Sequence, residues 1–237
     1  MNASGATACF GCTPGSFCAE GASAPLPCLE GSYSSTPGLE SSGQCAACEA
    51  GSFCSTGSLA PTDCSPGTVQ PATGEGGCVK CVAGKYQSGE GETACPNCPA
   101  AEYCTEGVSA GLPCPSGRYQ DEDLSVMTAA TDCLACTEGA FCSTGAATPT
   151  DCSPGTVQPL TGQGSCDRCA GGTYQDGAGE TACETCIAGS FCAEGSSAPL
   201  PCLEGSYSST PELASANQCT PCEAGSFCST GSTVRQT

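Results

Sequence analysis

The sequence predicts small disulfide-rich repeats, arranged as an extended rod of short β-hairpins and loops with almost no helix. Three observations carry that prediction. Cysteine supplies 27 of 237 residues, the density of a disulfide scaffold. Core-building residues are scarce, with no tryptophan, 6 phenylalanines and 6 tyrosines. One short motif, Cys-x-x-Gly-x-aromatic, returns along the whole chain.

The missing core dictates the rest. The 38% of residues that count as hydrophobic are mostly alanine and cysteine, which bury little area each. At about 25 cal/mol per Å² of buried apolar surface, such a chain cannot offset the entropy of ordering its backbone through one shared core. Cross-links must stand in for it. A disulfide closing about 15 residues contributes about 3 kcal/mol, chiefly by restricting the unfolded chain. Disulfides persist in secreted and cell-surface locations and are rare in the cytosol, so the expected location is extracellular or cell-surface. The opening residues, MNASGATACF, show no charged region followed by an apolar stretch. No apolar run approaches the roughly 20 residues of a membrane span. The chain therefore reads as a fragment of a longer protein, with no membrane insertion in this segment.

The repeat explains the cysteines. It opens at Cys12, Cys28, Cys48, Cys81, Cys114, Cys136, Cys169, Cys186, Cys202 and Cys222 with an aromatic five residues on. Cys64 and Cys152 open variants with valine there, and Cys98 opens one in which Ala101 replaces the glycine. Starts lie 16, 17, 20 or 22 residues apart. Each repeat carries an opening and a closing cysteine, and Cys9 is left over, where the closing cysteine of a preceding repeat would sit. Five repeats make a block that returns after 86 to 88 residues, giving blocks at 9–94 and 95–182 and a truncated third at 183–237. FCAEGASAPLPCLEGSYSSTP from Phe17 comes back almost unchanged from Phe191, which points to tandem duplication.

Local signals assign the elements in order. The glycine two residues before the aromatic is expected to supply a backbone conformation other residues avoid, or a close approach to a disulfide. The aromatic is expected to cover the sulfur pair as a one-residue core. Proline, Ser-Thr-Pro and Glu-Gly clusters read as turns. Only DEDLSVMTAATD from Asp121 offers a helical turn. Each repeat should touch only its neighbours.

In tandem, Cys-x-x-Cys-x-x-Gly-x-[Phe/Tyr] resembles the ephrin-receptor-like cysteine-rich repeat, a relative in style of EGF-like and tumour-necrosis-factor-receptor modules. CVKCVAGKYQSGEGETACPNC from Cys78 and CDRCAGGTYQDGAGETACETC from Cys166 show its standard form. Other repeats depart from it, with Cys18, Cys54, Cys104, Cys142, Cys192 or Cys228 directly after the aromatic. The resemblance implies an extracellular, extended array, similar to those of large secreted algal and protist proteins such as the shaft proteins of flagellar hairs (mastigonemes).

Two chemical readings compete with structural disulfides. Cys78, Cys81, Cys95 and Cys98, and again Cys166, Cys169, Cys183 and Cys186, have the spacing of a zinc ribbon. Both sets sit inside a repeat whose other cysteines lack such grouping, so metal is not expected. Thioredoxin-type chemistry needs one activated pair on a βαβ scaffold, which a glycine-rich string does not offer. Connectivity does not follow from sequence. Cys81–Cys95 and Cys169–Cys183 are favoured pairs, because each falls between sets of four. The sets are Cys12, Cys18, Cys28 and Cys45; Cys48, Cys54, Cys64 and Cys78; Cys98, Cys104, Cys114 and Cys133; Cys136, Cys142, Cys152 and Cys166; and Cys186, Cys192, Cys202 and Cys219. Three pairings stay open in each, with Cys222 and Cys228 beginning a further set. Direct Cys78–Cys81 closure is disfavoured as a strained short loop.

Charge narrows the partners. Against a net charge of −19 stand only Lys80, Lys85, Arg118, Arg168 and Arg235, which excludes nucleic acid. The acidic residues read as solubilising, with calcium or basic partners as the sharper alternative. Without histidine there is no nucleophilic triad, and Asp121, Glu122 and Asp123 read as solvated turn residues rather than calcium ligands. Neither an enzymatic role nor a cofactor is expected. Asn2-Ala3-Ser4 is a glycosylation acceptor sequence, and Ser/Thr-Pro stretches suit O-glycans. The expected role is a structural subunit of an extracellular filament or matrix, mastigoneme-like in its most specific form. Its partners would be copies of itself, other matrix or filament proteins, and glycans. The alternative is the stalk or ligand-binding ectodomain of a receptor or adhesin.

Overall fold

Among the described residues the sheets are all two-stranded, and each strand is two residues long in the hairpins that follow. A computed structural model describes residues 11–121 and 126–237. Each hairpin joins the aromatic end of one repeat to the residues just before the next opening cysteine. Ser16–Phe17 pairs antiparallel with Leu26–Pro27, Ser52–Phe53 with Thr62–Asp63, and Ser190–Phe191 with Leu200–Pro201. Among the described residues helix is confined to three 3-10 turns, Ser42–Gln44, Ala130–Asp132 and Ala216–Gln218, each just before the closing cysteine of a long repeat. In two of them a Ser/Gln capping box, Ser41 with Gln44 and Ser215 with Gln218, fixes the turn. The helical turn expected after Asp121 has residues 122–125 outside the described residues, and its far end is the 3-10 turn at Ala130–Asp132.

Why the motif reads Cys-x-x-Gly-Ser/Thr-aromatic follows from one β-turn. In Thr13-Pro14-Gly15-Ser16 the Ser16 amide donates to the Thr13 carbonyl at 3.2 Å, and Gly15 has φ +76°. A left-handed residue at the third place of such a turn makes it type II, and proline suits the second place. Where the fourth residue is Ser or Thr, its hydroxyl donates to the same carbonyl, at 2.7 Å for Ser16 to Thr13 and 2.7 Å for Thr156 to Ser153. Ala101, which replaces the glycine in the sixth repeat, is held at φ +62°.

Successive repeats are stitched by a recurring set of four backbone hydrogen bonds. Between the first and second repeats, Gly15 N–H donates to Ser34 O at 2.8 Å and Cys28 N–H donates to Gly15 O at 2.9 Å. Cys18 N–H donates to Leu39 O at 2.8 Å and Gly38 N–H to Cys12 O at 2.9 Å. The eighth and ninth repeats show the same set: Gly139 N–H to Gln158 O at 2.8 Å, Cys152 N–H to Gly139 O at 2.9 Å, Cys142 N–H to Gln163 O at 3.0 Å and Gly162 N–H to Cys136 O at 2.8 Å. The turn glycine also meets the repeat two places on. A Cβ on Gly15 would lie 2.5 Å from the Gly57 carbonyl oxygen, and one on Gly172 2.6 Å from that of Glu212. The left-handed conformation expected of the glycine is present, but the close approach is to a backbone carbonyl and not, as expected, to a disulfide.

The chain divides into two compact units, Met1–Leu112 with Ser125–Ala129, and Pro113–Leu124 with Ala130–Thr237. In each unit the buried hydrophobic residues are overwhelmingly cysteines, joined by a few residues such as Val69, Met127, Val157 and Leu213. Among the described residues the aromatics are half-buried rather than a core of their own, except Phe227, which is exposed. Phe191 packs against Cys202, Cys219 and Leu213, so this ring covers the sulfur pair of the following repeat.

Candidate functional site

The residues singled out in sequence are the cysteines, and every cysteine of the described residues is bridged within its own repeat. Cys81–Cys95 and Cys169–Cys183 each span 14 residues. The sets of four resolve into opening-to-closing pairs. The short bridges, six residues apart, are Cys12–Cys18, Cys48–Cys54, Cys98–Cys104, Cys136–Cys142, Cys186–Cys192 and Cys222–Cys228. Cys64–Cys78 and Cys152–Cys166 span 14. Cys28–Cys45 and Cys202–Cys219 span 17, and Cys114–Cys133 spans 19. Cys9 and Asn2 lie outside the described residues, as do Glu122 and Asp123.

This pattern answers the zinc spacing. Cys78, Cys81, Cys95 and Cys98 belong to three different bridges, with Cys64, with one another, and with Cys104. Among the described residues no three His, Cys, Asp or Glu side chains gather as a metal site.

The position after the aromatic decides which bridge a repeat makes. Cysteine there gives the six-residue loop. In the repeats closed over 14 residues the place is taken by Gln70, Gln87, Gln158 or Gln175, all buried. Each amide spans the loop the cysteine no longer ties. Gln158 Nε2 donates to Ser165 O at 2.8 Å, and its Oε1 accepts from the Leu160 amide at 3.0 Å. Gln175 does the same with Ala182 and Gly177. In two of the longest repeats Ser34 and Ser208 sit there, also buried, with hydroxyls donating to Thr36 O and Thr210 O. The sequence signal for the glutamines is plain in retrospect: glutamine stands where the cysteine is missing.

What the chain offers to partners is its outer face. At four turns the residue after the opening cysteine is a large apolar one left exposed: Leu29, Val82, Ile187 and Leu203. Leu26 and Leu29 are 48% and 67% exposed in one compact unit, and their counterparts Leu200 and Leu203 are 51% and 69% exposed in the other. The duplicated segment thus presents the same apolar patch twice. A shallow depression of about 320 Å³ lies beside the Cys81–Cys95 bridge, lined by Val69, Lys80, Val82, Lys85, Thr93 and Ala94. Lys80 also stands 3.9 Å from Glu106, with both side chains largely in water, a geometry worth little. The Tyr174 phenol donates to Glu184 Oε2 at 2.7 Å, and this bond to a carboxylate raises the phenol above its ordinary pKa.

No helix among the described residues is long and apolar enough to cross a membrane. No family model matches the chain, and no curated protein matches it. The disulfide-bonded tandem hairpins are those of a cysteine-rich repeat protein. Such an architecture fits an extracellular structural or ectodomain role.

Proposed function

We propose that the chain is a structural, non-enzymatic segment of an extracellular filament or matrix, in the manner of mastigoneme shafts and other tandem ephrin-receptor-like arrays. The observation that supports it best is the recurrence of one apolar patch, Leu26 with Leu29 and Leu200 with Leu203, at matching exposure. Like surfaces presented twice along one chain suit assembly through equivalent contacts between copies. Exposed aliphatic residues on a chain of net charge −19 would meet those of another copy most readily once salt screens the repulsion.

Electron microscopy of the native material, with sedimentation of the oxidised chain at low and physiological salt, tests this. The expected result is filaments, or salt-promoted association that Leu29→Glu with Leu203→Glu abolishes. A chain that stays monomeric in both salts and forms no polymer in its native setting would overturn it. The depression between Lys80 and Lys85 favours a second reading, a ligand-binding ectodomain or stalk. Saturable binding of an acidic glycan, lost in Lys80→Ala with Lys85→Ala, would support that reading instead.

A further inference from the structure

We infer that the chain is a two-stage extensible tether, in which nine-residue connectors yield to load and the disulfides set a hard limit. The inference rests on the structural role proposed above, but not on the self-association proposed with it. It begins from connectivity. The bridges of the described residues close within single repeats, from Cys12–Cys18 to Cys222–Cys228, and none joins one repeat to the next. The line of force therefore runs across each disulfide and along the segments between them.

Those segments come in two lengths. After a closing cysteine that starts a Cys-x-x-Cys, two residues lead to the next repeat; after a closing cysteine that directly follows the aromatic, nine do. The nine-residue connectors are 19–27, 55–63, 105–113, 143–151 and 193–201. What holds a connector is chiefly backbone pairing: Leu26–Pro27 on Ser16–Phe17 and Thr150–Asp151 on Ala140–Phe141, with single bonds such as Gly145 N–H to Cys114 O at 2.8 Å, and on 105–113 the solvent-exposed Lys80–Glu106 ion pair adds little. A two-stranded hairpin is marginal by itself, and each such hydrogen bond contributes about 1 kcal/mol net. A disulfide is covalent. Pulling strips the connectors from their hairpins first and stops where the bridges are reached.

The limit follows from chain geometry. At about 3.5 Å per extended residue and 5.7–6.2 Å between the Cα atoms of each bridge, the path from Cys12 to Cys228 with every bridge intact reaches roughly 330 Å. The same path reduced reaches roughly 760 Å on that spacing, about 2.3-fold longer. Each bridge hides a length set by its own loop. Removing Cys114–Cys133 releases roughly 60 Å, and removing Cys136–Cys142 roughly 15 Å.

Single-molecule force–extension of the full oxidised chain, held at both ends, tests the inference. The expected result is reversible extension that stops near 330 Å and lengthens about 2.3-fold once a thiol reductant is added, on the spacing above. Cys114→Ser with Cys133→Ser should raise the oxidised limit by roughly 60 Å, and Cys136→Ser with Cys142→Ser by roughly 15 Å. An oxidised chain that reaches the reduced length would overturn the inference. So would equal lengthening in the two paired variants, or an oxidised chain that does not extend reversibly. Should a variant misfold, the oxidised-to-reduced ratio of the parent chain still decides. Absence of self-association leaves all these readings untouched.

Discussion

Replacing Gly139 by alanine separates the two reasons for the recurring turn glycine. Gly139 has φ +77°, and a Cβ there would meet the carbonyl of Gly179 in the repeat two places on. Gly205 occupies the equivalent turn with φ +87°, yet a Cβ on it would find nothing within 4 Å. Both substitutions carry the left-handed cost of an L-residue, about 1–2 kcal/mol. Gly139→Ala must in addition push the two strands of backbone apart. Gly139 N–H donates to Gln158 O at 2.8 Å and its carbonyl accepts from Cys152 N–H at 2.9 Å, and weakening both adds about 2 kcal/mol. The total is about 3–4 kcal/mol for Gly139→Ala against about 1–2 kcal/mol for Gly205→Ala. A single unfolding midpoint is a poor readout for a disulfide-linked repeat array, so amide exchange at the junction is the right assay. Protection of the Cys152 and Gly162 amides should fall by roughly two orders of magnitude or more in Gly139→Ala, since about 1.4 kcal/mol is tenfold. In Gly205→Ala the Cys222 amide, which donates to Gly205 O at 2.9 Å, should lose only about tenfold. Equal losses at the two sites would refute the argument that a carbonyl, and not φ alone, demands glycine.

The converse substitution, Ala101→Gly, relieves a non-glycine residue at φ +62° and should stabilise the sixth repeat by about 1 kcal/mol, read as slower exchange in that repeat; faster exchange would contradict it. Gln158→Ala removes a buried amide that spans its loop, and leaving the Ser165 carbonyl and Leu160 amide unmet should cost about 1–3 kcal/mol. The cost should show as faster exchange near the Cys152–Cys166 bridge, whereas Gln163, which makes one long bond of 3.3 Å to Thr161 O, should tolerate alanine. The Tyr174 phenol, raised by its bond to Glu184, keeps its proton longer folded than unfolded. Its contribution to stability is therefore complete below the ordinary tyrosine range and declines as pH rises through the raised value. Glu184→Gln should bring the titration down toward that range by ultraviolet absorbance, and an unchanged curve would count against the assignment.

The repeat was legible in the sequence because its period is carried by residues with one dominant use each. Cysteine marks every boundary and the turn glycine and the aromatic mark nearly all of them, and the hairpins Ser16–Phe17/Leu26–Pro27 and Ser190–Phe191/Leu200–Pro201 sit where those marks place them. Pairing inside the sets of four was not legible, because three connectivities satisfy the same spacing and only the fold distinguishes them. Gln70, Gln87, Gln158 and Gln175 escaped for another reason. Glutamine is ordinarily a surface residue, and its burial here comes from the loop it spans, a tertiary circumstance. The part of Phe191 was half legible. A ring near a disulfide was expected, but the disulfide it covers belongs to the next repeat, a relation that appears only when neighbours are stacked.

Closure of each bridge inside its own repeat also governs how such a gene can change. When unequal crossing-over inserts or deletes a whole repeat, the incoming or outgoing piece brings or takes both of its thiols, as Cys136 with Cys142 or Cys152 with Cys166 would. No cysteine elsewhere loses its mate. Nascent chain leaving the ribosome meets the same simplification, since each thiol of the described residues finds its partner within at most 19 residues and oxidation can follow synthesis step by step. Length is thus a freely adjustable property of this protein, and the near-identical duplicated segments are what a lineage that used that freedom would carry.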